Sequence, residues 1–242
     1  MIKRAFNSLE EDEMQQLETG NIGDSSASKK SSAVEVNYDN KFIYSFFKRI
    51  IDIIGSIAGL IVLLPVFLIL AIIIKLDSKG PVIFAHKRLG YKGEIIKVFK
   101  FRSMVTNAEQ LIESLPEDQK LQFYRNFKLD NDPRITKIGN LLRKTSLDEL
   151  PQLLNILKGD LTIVGPRPIV EKEIMMYGKY GKKLLSVKPG LTGFWQVNGR
   201  SDTTYEERVQ LDMEYIDKRN LLMDIVIIFK TFGAVFRERG AK

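Results

Sequence analysis

From Ile53 to Ile74 the chain reads IIGSIAGLIVLLPVFLILAIII, without a single charged side chain, bounded by Lys48 and Arg49 before it and Lys75 after it. At about 1.5 Å of rise per residue, a helix of this length can cross a hydrocarbon core roughly 30 Å thick. A helix apolar on every face needs lipid around it, or a much larger protein than 242 residues supply. The run therefore predicts a membrane segment. Cations at both ends give the positive-inside rule nothing to choose between. Pro65 leaves two arrangements open: a spanning helix that tolerates a proline, or a break near Leu64 and Pro65 that returns the chain to the face it entered. Asp52 is readily hydrated at an interface in either case.

The flanks differ sharply from this run. Residues 1–40 are rich in Ser, Glu, Asp and Asn and lack apolar periodicity, so burial could hardly offset the entropy of ordering them, and a disordered polar tail is expected. The tail contains no apolar signal-peptide stretch and no twin-arginine or lipidation pattern. With four basic and eight acidic residues it carries −4 of a total of +7, which leaves +11 on residues 41–242. Such a balance favours an anionic partner: nucleic acid, an acidic membrane surface or a phosphorylated substrate. The basic residues alternate with apolar segments and form no recognition helix, so no nucleic acid is expected. The absence of cysteine rules out disulfides and thiolate metal sites and fits a reducing compartment.

Beyond Lys75 the pattern is that of one soluble domain. GPVIFAHKRLGYKGEIIKVFKFRSM reads as two strands joined by a Gly-rich turn and crowded by Lys87, Arg88, Lys92, Lys97, Lys100 and Arg102. A solvated basic edge and a phosphate or headgroup site are both consistent with that cluster. A helical pattern follows from Asn107 to Phe127, and another through ITKIGNLLRK. LLMDIVIIFKTFGAVFRERG is apolar but too polar at its ends to span, and is expected along the interface or over the core. The fold class is thus α+β and mostly helical, with a small β-hairpin, interfacial amphipathic helices and a hydrophobic anchor. The boundaries are 1–40 for the tail, 41–76 for the anchor and 77–242 for the domain.

Chemistry concentrates in TSLDELPQLLNILKGDLTIVGPRP, residues 145–168. Pro151 suits a first helical turn, so the helix bearing QLLNILK is expected to start between Ser146 and Glu149, which also have capping-box spacing. Capping accounts for one carboxylate but leaves Asp148 unexplained. Arg143 precedes the pair, and Arg167 is fixed between Pro166 and Pro168, a rigid presentation suited to bidentate phosphate recognition, although GPRP is equally readable as a tight turn with a solvent-facing arginine. Adjacent carboxylates beside fixed cations suggest Mg²⁺ with a phosphorylated substrate, and an aspartate can also attack phosphorus.

The segments KRIIDIIGSIAGLIVLLP, GPVIFAHKRLGYKG, KFRSM, DPRITKIGNLLRKTSLDELPQLLNILKGDLTIVGPRP and KPGLTGFWQVNGR resemble, in order and spacing, the bacterial sugar transferases that act as monotopic polyprenyl-phosphate phosphoglycosyl transferases. The resemblance covers about residues 42–242. It implies a catalytic domain at the cytoplasmic face of the bacterial inner membrane and an anchor made re-entrant by Pro65. It also implies a ping-pong reaction in which Asp148 attacks the β-phosphate of a nucleotide-diphosphate sugar, with a UDP-sugar of galactose or glucose expected. The phosphosugar then passes to undecaprenyl phosphate, starting an exopolysaccharide, capsule or other glycan. Asp148 and Glu149 match the catalytic dyad, with Glu149 as the Mg²⁺ ligand. Lys100, Arg143 and Arg167 match phosphate-binding positions, and Arg102 and Arg134 are further candidates. Many members carry Gln where this chain has His86, and some carry Ser in place of Leu64.

Two rivals remain at this stage. Asp130, Asn131 and Asp132 match the Asp-x-Asp of a metal-dependent glycosyltransferase, although such turns are common before proline. A membrane-anchored scaffold would use the basic domain only to grip anionic lipid. The lone Trp195 is read as a loop anchor rather than a stacking platform, and its motif as a sugar selector or a homodimer contact.

Overall fold

The computed structural model describes residues 38–126, 129, 132–199 and 203–236. The expected tail and Asp130 lie outside the described residues, apart from the last positions of the tail segment. Helix α1, Tyr38–Asp77, holds the apolar run. Next come strands β1 (Ile83–Leu89) and β2 (Ile95–Phe101). Helices α2 (Ala108–Glu113), α3 (Glu117–Asn126), α4 (Lys137–Lys144) and α5 (Gln152–Lys158) follow. Strand β3 (Thr162–Val164), helices α6 (Ile174–Tyr177) and α7 (Gly181–Leu185), and strand β4 (Gly190–Thr192) lead to α8 (Phe194–Asn198), α9 (Tyr205–Lys218) and α10 (Leu221–Phe236). Among the described residues the chain is mostly helical with two small sheets. The helical pattern expected from Asn107 to Phe127 is split, because Pro116 disfavours the helical region for Leu115.

Helix α1 runs without interruption through Pro65. Proline removes one backbone donor, which leaves the Ile61 carbonyl without its helical partner, while the chain stays helical on either side. One stripe of α1 faces the rest of the protein along nearly its whole length. Asp52 and Ser56 are buried, Leu60 and Leu63 pack against Val98, Leu153, Ile156 and Leu161, and Val66, Phe67, Leu70 and Ile74 pack with Phe101 and Leu142. These positions recur at three- and four-residue intervals, one face of a helix. The opposite face, including Ile54, Ile61, Val62, Leu68 and Ile72, is exposed. The helix is long and apolar enough to cross a membrane.

Polar side chains fasten the stripe. The Asp52 carboxylate accepts from Thr162 Oγ1 at 2.7 Å and from the Ile163 backbone N–H at 2.8 Å. Arg49 donates to the carbonyls of Ile156 and Leu157 at 2.6 and 2.7 Å, satisfying the C-terminal end of α5. Lys48 pairs with Asp224 of α10 at 2.6 Å, and Tyr44 and Tyr215 donate to the same carboxylate.

The β1–β2 hairpin is antiparallel as expected, with His86 opposite Val98 and Phe84 opposite Lys100. Directly opposed residues share a face, so Phe84, His86, Arg88, Val98 and Lys100 lie on one side of it. Strands β3 and β4 form a parallel ladder, Thr162 to Gly190 and Val164 to Thr192, for which the sequence carries no strand signal. Their ends touch backbone to backbone. A Cβ on Gly190 would overlap Gly165 N and sit 2.7 Å from Gly165 Cα, so both positions need glycine.

Candidate active site

The carboxylate pair lies between α4 and α5. Thr136 caps α4 by accepting from Gly139 N–H at 2.9 Å, and the helix ends at Lys144 with Thr145 at its C-cap. Ser146 then adopts left-handed φ of 58°, and Leu147–Glu149 form a 3₁₀ turn. The capping box expected from Ser146 and Glu149 is not made: the Ser146 side chain caps nothing, and Glu149 reaches Lys100 instead. Helix α5 begins only after Pro151, later than expected. The real capping box is at Thr204 and Glu207, opening α9. Positive potential at the pair thus comes from side chains rather than from a helix end.

Lys100 Nζ lies 2.6 Å from Glu149 Oε1 and 3.7 Å from Asp148 Oδ2. Asp148 is buried, with 7% of its surface exposed. Burial pushes its carboxyl above the ordinary aspartate range, and the neighbouring Glu149 charge adds to this while Lys100 and Arg143 only partly offset it. Burial raises Glu149 too, but Lys100, Arg167 and Arg88 more than reverse it, leaving Glu149 below its usual value. The two carboxyls are driven apart: one is the more basic, the other firmly anionic.

The cations arrive from four elements. Lys100 ends β2, whose edge is held by the fully buried Asn155 of α5: Asn155 Oδ1 accepts from Phe99 N–H at 2.8 Å and its amide donates to Lys97 O at 2.7 Å. This ties the strand carrying Lys100 to the helix behind the dyad. Arg143, in the last turn of α4, donates through Nε to Ser103 Oγ at 2.9 Å and interacts electrostatically with Asp148. Arg167 follows β3, and its turn is pinned from both sides: Gly165 N–H donates to Thr192 O and Gly190 N–H to Pro166 O, each at 2.8 Å. Its side chain is exposed and makes no hydrogen bond or ion pair among the described residues. A rigid backbone thus presents an unengaged guanidinium beside the dyad. Arg88 of β1 completes the group within electrostatic reach of Arg167, Glu173 and Glu149. In the sequence Arg88 is only one of six basic residues of a possible phosphate or headgroup cluster, and Asn155 is not a candidate at all. Strand parity with Lys100 is the signal that finds Arg88; nothing local marks Asn155.

Lys100, Arg143 and Arg167 therefore gather around Asp148 and Glu149. Arg102 and Arg134 do not. Arg102 is buried and donates to the carbonyls of Pro81, Ser78 and Ile74, at 2.5, 2.5 and 3.1 Å, clamping the end of α1 to β2. Arg134 makes a bidentate pair with Asp132 at 2.8 and 2.6 Å and stacks over the Phe123 ring. That pair also engages both Asp132 oxygens, which disfavours an Asp-x-Asp metal site. Trp195 is buried beneath Arg208, with the guanidinium 4.8 Å from its ring centroid, but it anchors the short helix α8 rather than a loop.

Among the described residues no three acidic or imidazole side chains cluster as a self-sufficient metal cage. The donor set fits Mg²⁺ nonetheless, because that ion is commonly held by one or two carboxylates with water and substrate phosphate completing its shell. Glu149, partly exposed beside Lys100, is a carboxylate that could hold it.

Comparison with known proteins agrees with this chemistry. Residues 43–238 match the family described as bacterial sugar transferase. The chain is 43% identical to a UDP-galactose-lipid carrier transferase of Erwinia amylovora over 81% of its own length and 42% of the relative's. It is 42% identical to the exopolysaccharide production protein ExoY of Sinorhizobium fredii, covering 80% of this chain and 87% of that one. It is 40% identical to the UDP-glucose:undecaprenyl-phosphate glucose-1-phosphate transferase of Escherichia coli, covering 80% and 41%. The chain thus spans less than half of two of these relatives and nearly all of the third. Matched over most of its length, with identities of 40% or more to named transferases, the chain belongs to the bacterial sugar transferase family.

Proposed function

We propose that the protein transfers a hexose-1-phosphate, of galactose or glucose, from a UDP-sugar to undecaprenyl phosphate and so begins an exopolysaccharide or capsule. The names of the relatives supply the substrate classes. The observation that carries the reaction type is a buried, basic carboxylate, Asp148, held 3.7 Å from Lys100 beside an anionic Glu149.

In the first step an Asp148 oxygen attacks the β-phosphorus of the donor, a P–O bond forms, and the bond from that phosphorus to the bridging oxygen breaks, with its electrons leaving on UMP. In the second, a phosphate oxygen of undecaprenyl phosphate attacks the same phosphorus and the Asp148 carboxylate departs unchanged. Neither step requires a proton from the protein near neutral pH. Arg143, Lys100 and Arg167 surround the transferring group with fixed positive charge, the main form of catalysis open to phosphoryl transfer. Mg²⁺ held at Glu149 would offset charge on the phosphoryl oxygens.

The nucleotide released decides between readings. With Mg²⁺, undecaprenyl phosphate and a panel of UDP-hexoses, UMP is expected. UDP as the product would favour a glycosyltransferase, and no nucleotide with any donor would favour a scaffold.

The same reading places the chain on one membrane face. Both halves of α1, on either side of Pro65, pack on the same catalytic body, as a helix does when its two ends share a side. Helix α10 adds an exposed apolar row, Leu222, Val226, Phe229 and Phe232, at interfacial helix spacing. Single cysteines at Ser26 and Lys179 should both resist an impermeant thiol reagent in intact cells. Labelling of Ser26→Cys alone would establish a spanning anchor.

A further inference from the structure

His86, the single histidine, is half-buried beside the cations of the hairpin. Its Nδ1 lies 3.3 Å from Arg88 Nη2. A guanidinium can only donate, so Nδ1 must carry the lone pair and the ring proton must be on Nε2. Arg88 of the same strand, Lys100 of β2 and Arg167 of the GPRP turn all face the imidazole with positive charge. Burial first, and then these three cations, push its pKa down to about 4. A second proton would also set two donors against each other, so the ring is neutral throughout the physiological range.

Arg88 needs such a partner. Its other contacts are no tighter: Pro168 O at 3.4 Å and the Glu173 carboxylate at 3.6 Å. Burial and the charge of Arg167 depress its pKa to about 10, which indicates that the two guanidiniums repel. A carboxylate at position 86 could orient Arg88 but would cancel the charge that an anionic guest requires. A neutral acceptor orients the fork and leaves the positive potential intact.

We propose that His86 is a positioning residue for the donor's diphosphate, its Nδ1 lone pair holding Arg88 within electrostatic reach of Arg167. The assignment rests on the reading of this cluster as a diphosphate site. It concerns binding rather than phosphorus chemistry, so its signature is a change in affinity without a matching change in turnover.

UDP affinity and donor kinetics should be measured for the full chain, His86→Leu, His86→Gln and His86→Glu, each also combined with Arg88→Met. His86→Leu should weaken UDP binding and raise donor KM by roughly tenfold, the scale of a lost hydrogen bond to a charged group, with kcat within about twofold. His86→Gln, neutral and still an acceptor, should restore the parent values. His86→Glu should bind UDP less well than His86→Gln although it too accepts from Arg88. In the Arg88→Met background the leucine and glutamine variants should be indistinguishable. Equal UDP affinity of parent and His86→Leu would overturn the assignment, as would a leucine effect that persists without Arg88, or a parent that binds no UDP. If UDP binding follows the expected order but the parent releases no UMP, the assignment stands and the transfer reading fails.

Discussion

Asp148→Asn should yield a folded protein that forms no phosphosugar adduct and releases no UMP. Incubated with Mg²⁺ and UDP-hexoses in the absence of lipid, the parent should gain the mass of one hexose phosphate and lose it when undecaprenyl phosphate is added. Replacing a nucleophilic oxygen by an amide should cost on the order of 10⁴-fold or more in turnover. The loss cannot be blamed on unfolding. The folded-state pKa of Asp148 is raised, so the folded protein binds this proton more tightly than the unfolded chain does. Its contribution to stability is complete below the unfolded value and is lost as pH rises through the folded one. At neutral pH the buried charge is therefore a cost that the amide removes, and the variant should melt at the parent's temperature or above it. An Asp148→Asn protein that still acquired the adduct, or a parent that released UMP only with lipid present and never carried an adduct, would eliminate the covalent step.

Features set by local chemistry were legible in the sequence. The uncharged run fixed the existence of α1, the alternation around Gly90 and Gly93 fixed the hairpin, and TSLDELP flagged the dyad. Tertiary contacts misled at Ser146, whose spacing to Glu149 suits a cap. Lys100, nearly fifty residues earlier in the chain, outcompetes the Ser146 backbone for that carboxylate. The basic residues show the same limit. Arg88, Arg102 and Arg134 look alike in sequence, yet carbonyls at the end of α1 take Arg102, Asp132 takes Arg134, and only Arg88 is left to the site. Parity puts Arg88 on the Lys100 side of the hairpin but gives Arg102 the same parity, so only the tertiary partners separate them. The β3–β4 ladder was beyond reach, since three-residue strands so far apart in sequence carry no periodicity of their own.

Gly139→Ala should damage both the fold and the reaction. Within a helix, glycine to alanine ordinarily stabilises, by up to about 1 kcal/mol in the interior and less in the first turn, where Gly139 lies. Here the sign reverses. A Cβ at Gly139 would overlap the Ser103 carbonyl oxygen and lie 2.6 Å from its carbon and 2.8 Å from its Cα. All three are backbone atoms that no rotamer change can move aside. The same carbonyl accepts from Thr136 N–H at 3.1 Å, and Val105 N–H donates to Arg134 O at 2.9 Å, so the segment leading into α4 and residues 103–105 are stitched together beside the contact. Making room means separating them, at about 3 kcal/mol or more in stability, the upper range for an overpacked core. The separation would carry Ser103 away from Arg143 and shift Lys100 relative to Asp148, and a misplacement of about 1 Å can cost 10²-fold in rate. Gly233→Ala is the internal control. That glycine lies in α10 with nothing within 4 Å of a Cβ, and its replacement should leave turnover unchanged and melting equal or slightly higher. Equal melting temperature and turnover for Gly139→Ala and the parent would mean that α4 does not set the spacing between the dyad and its cations.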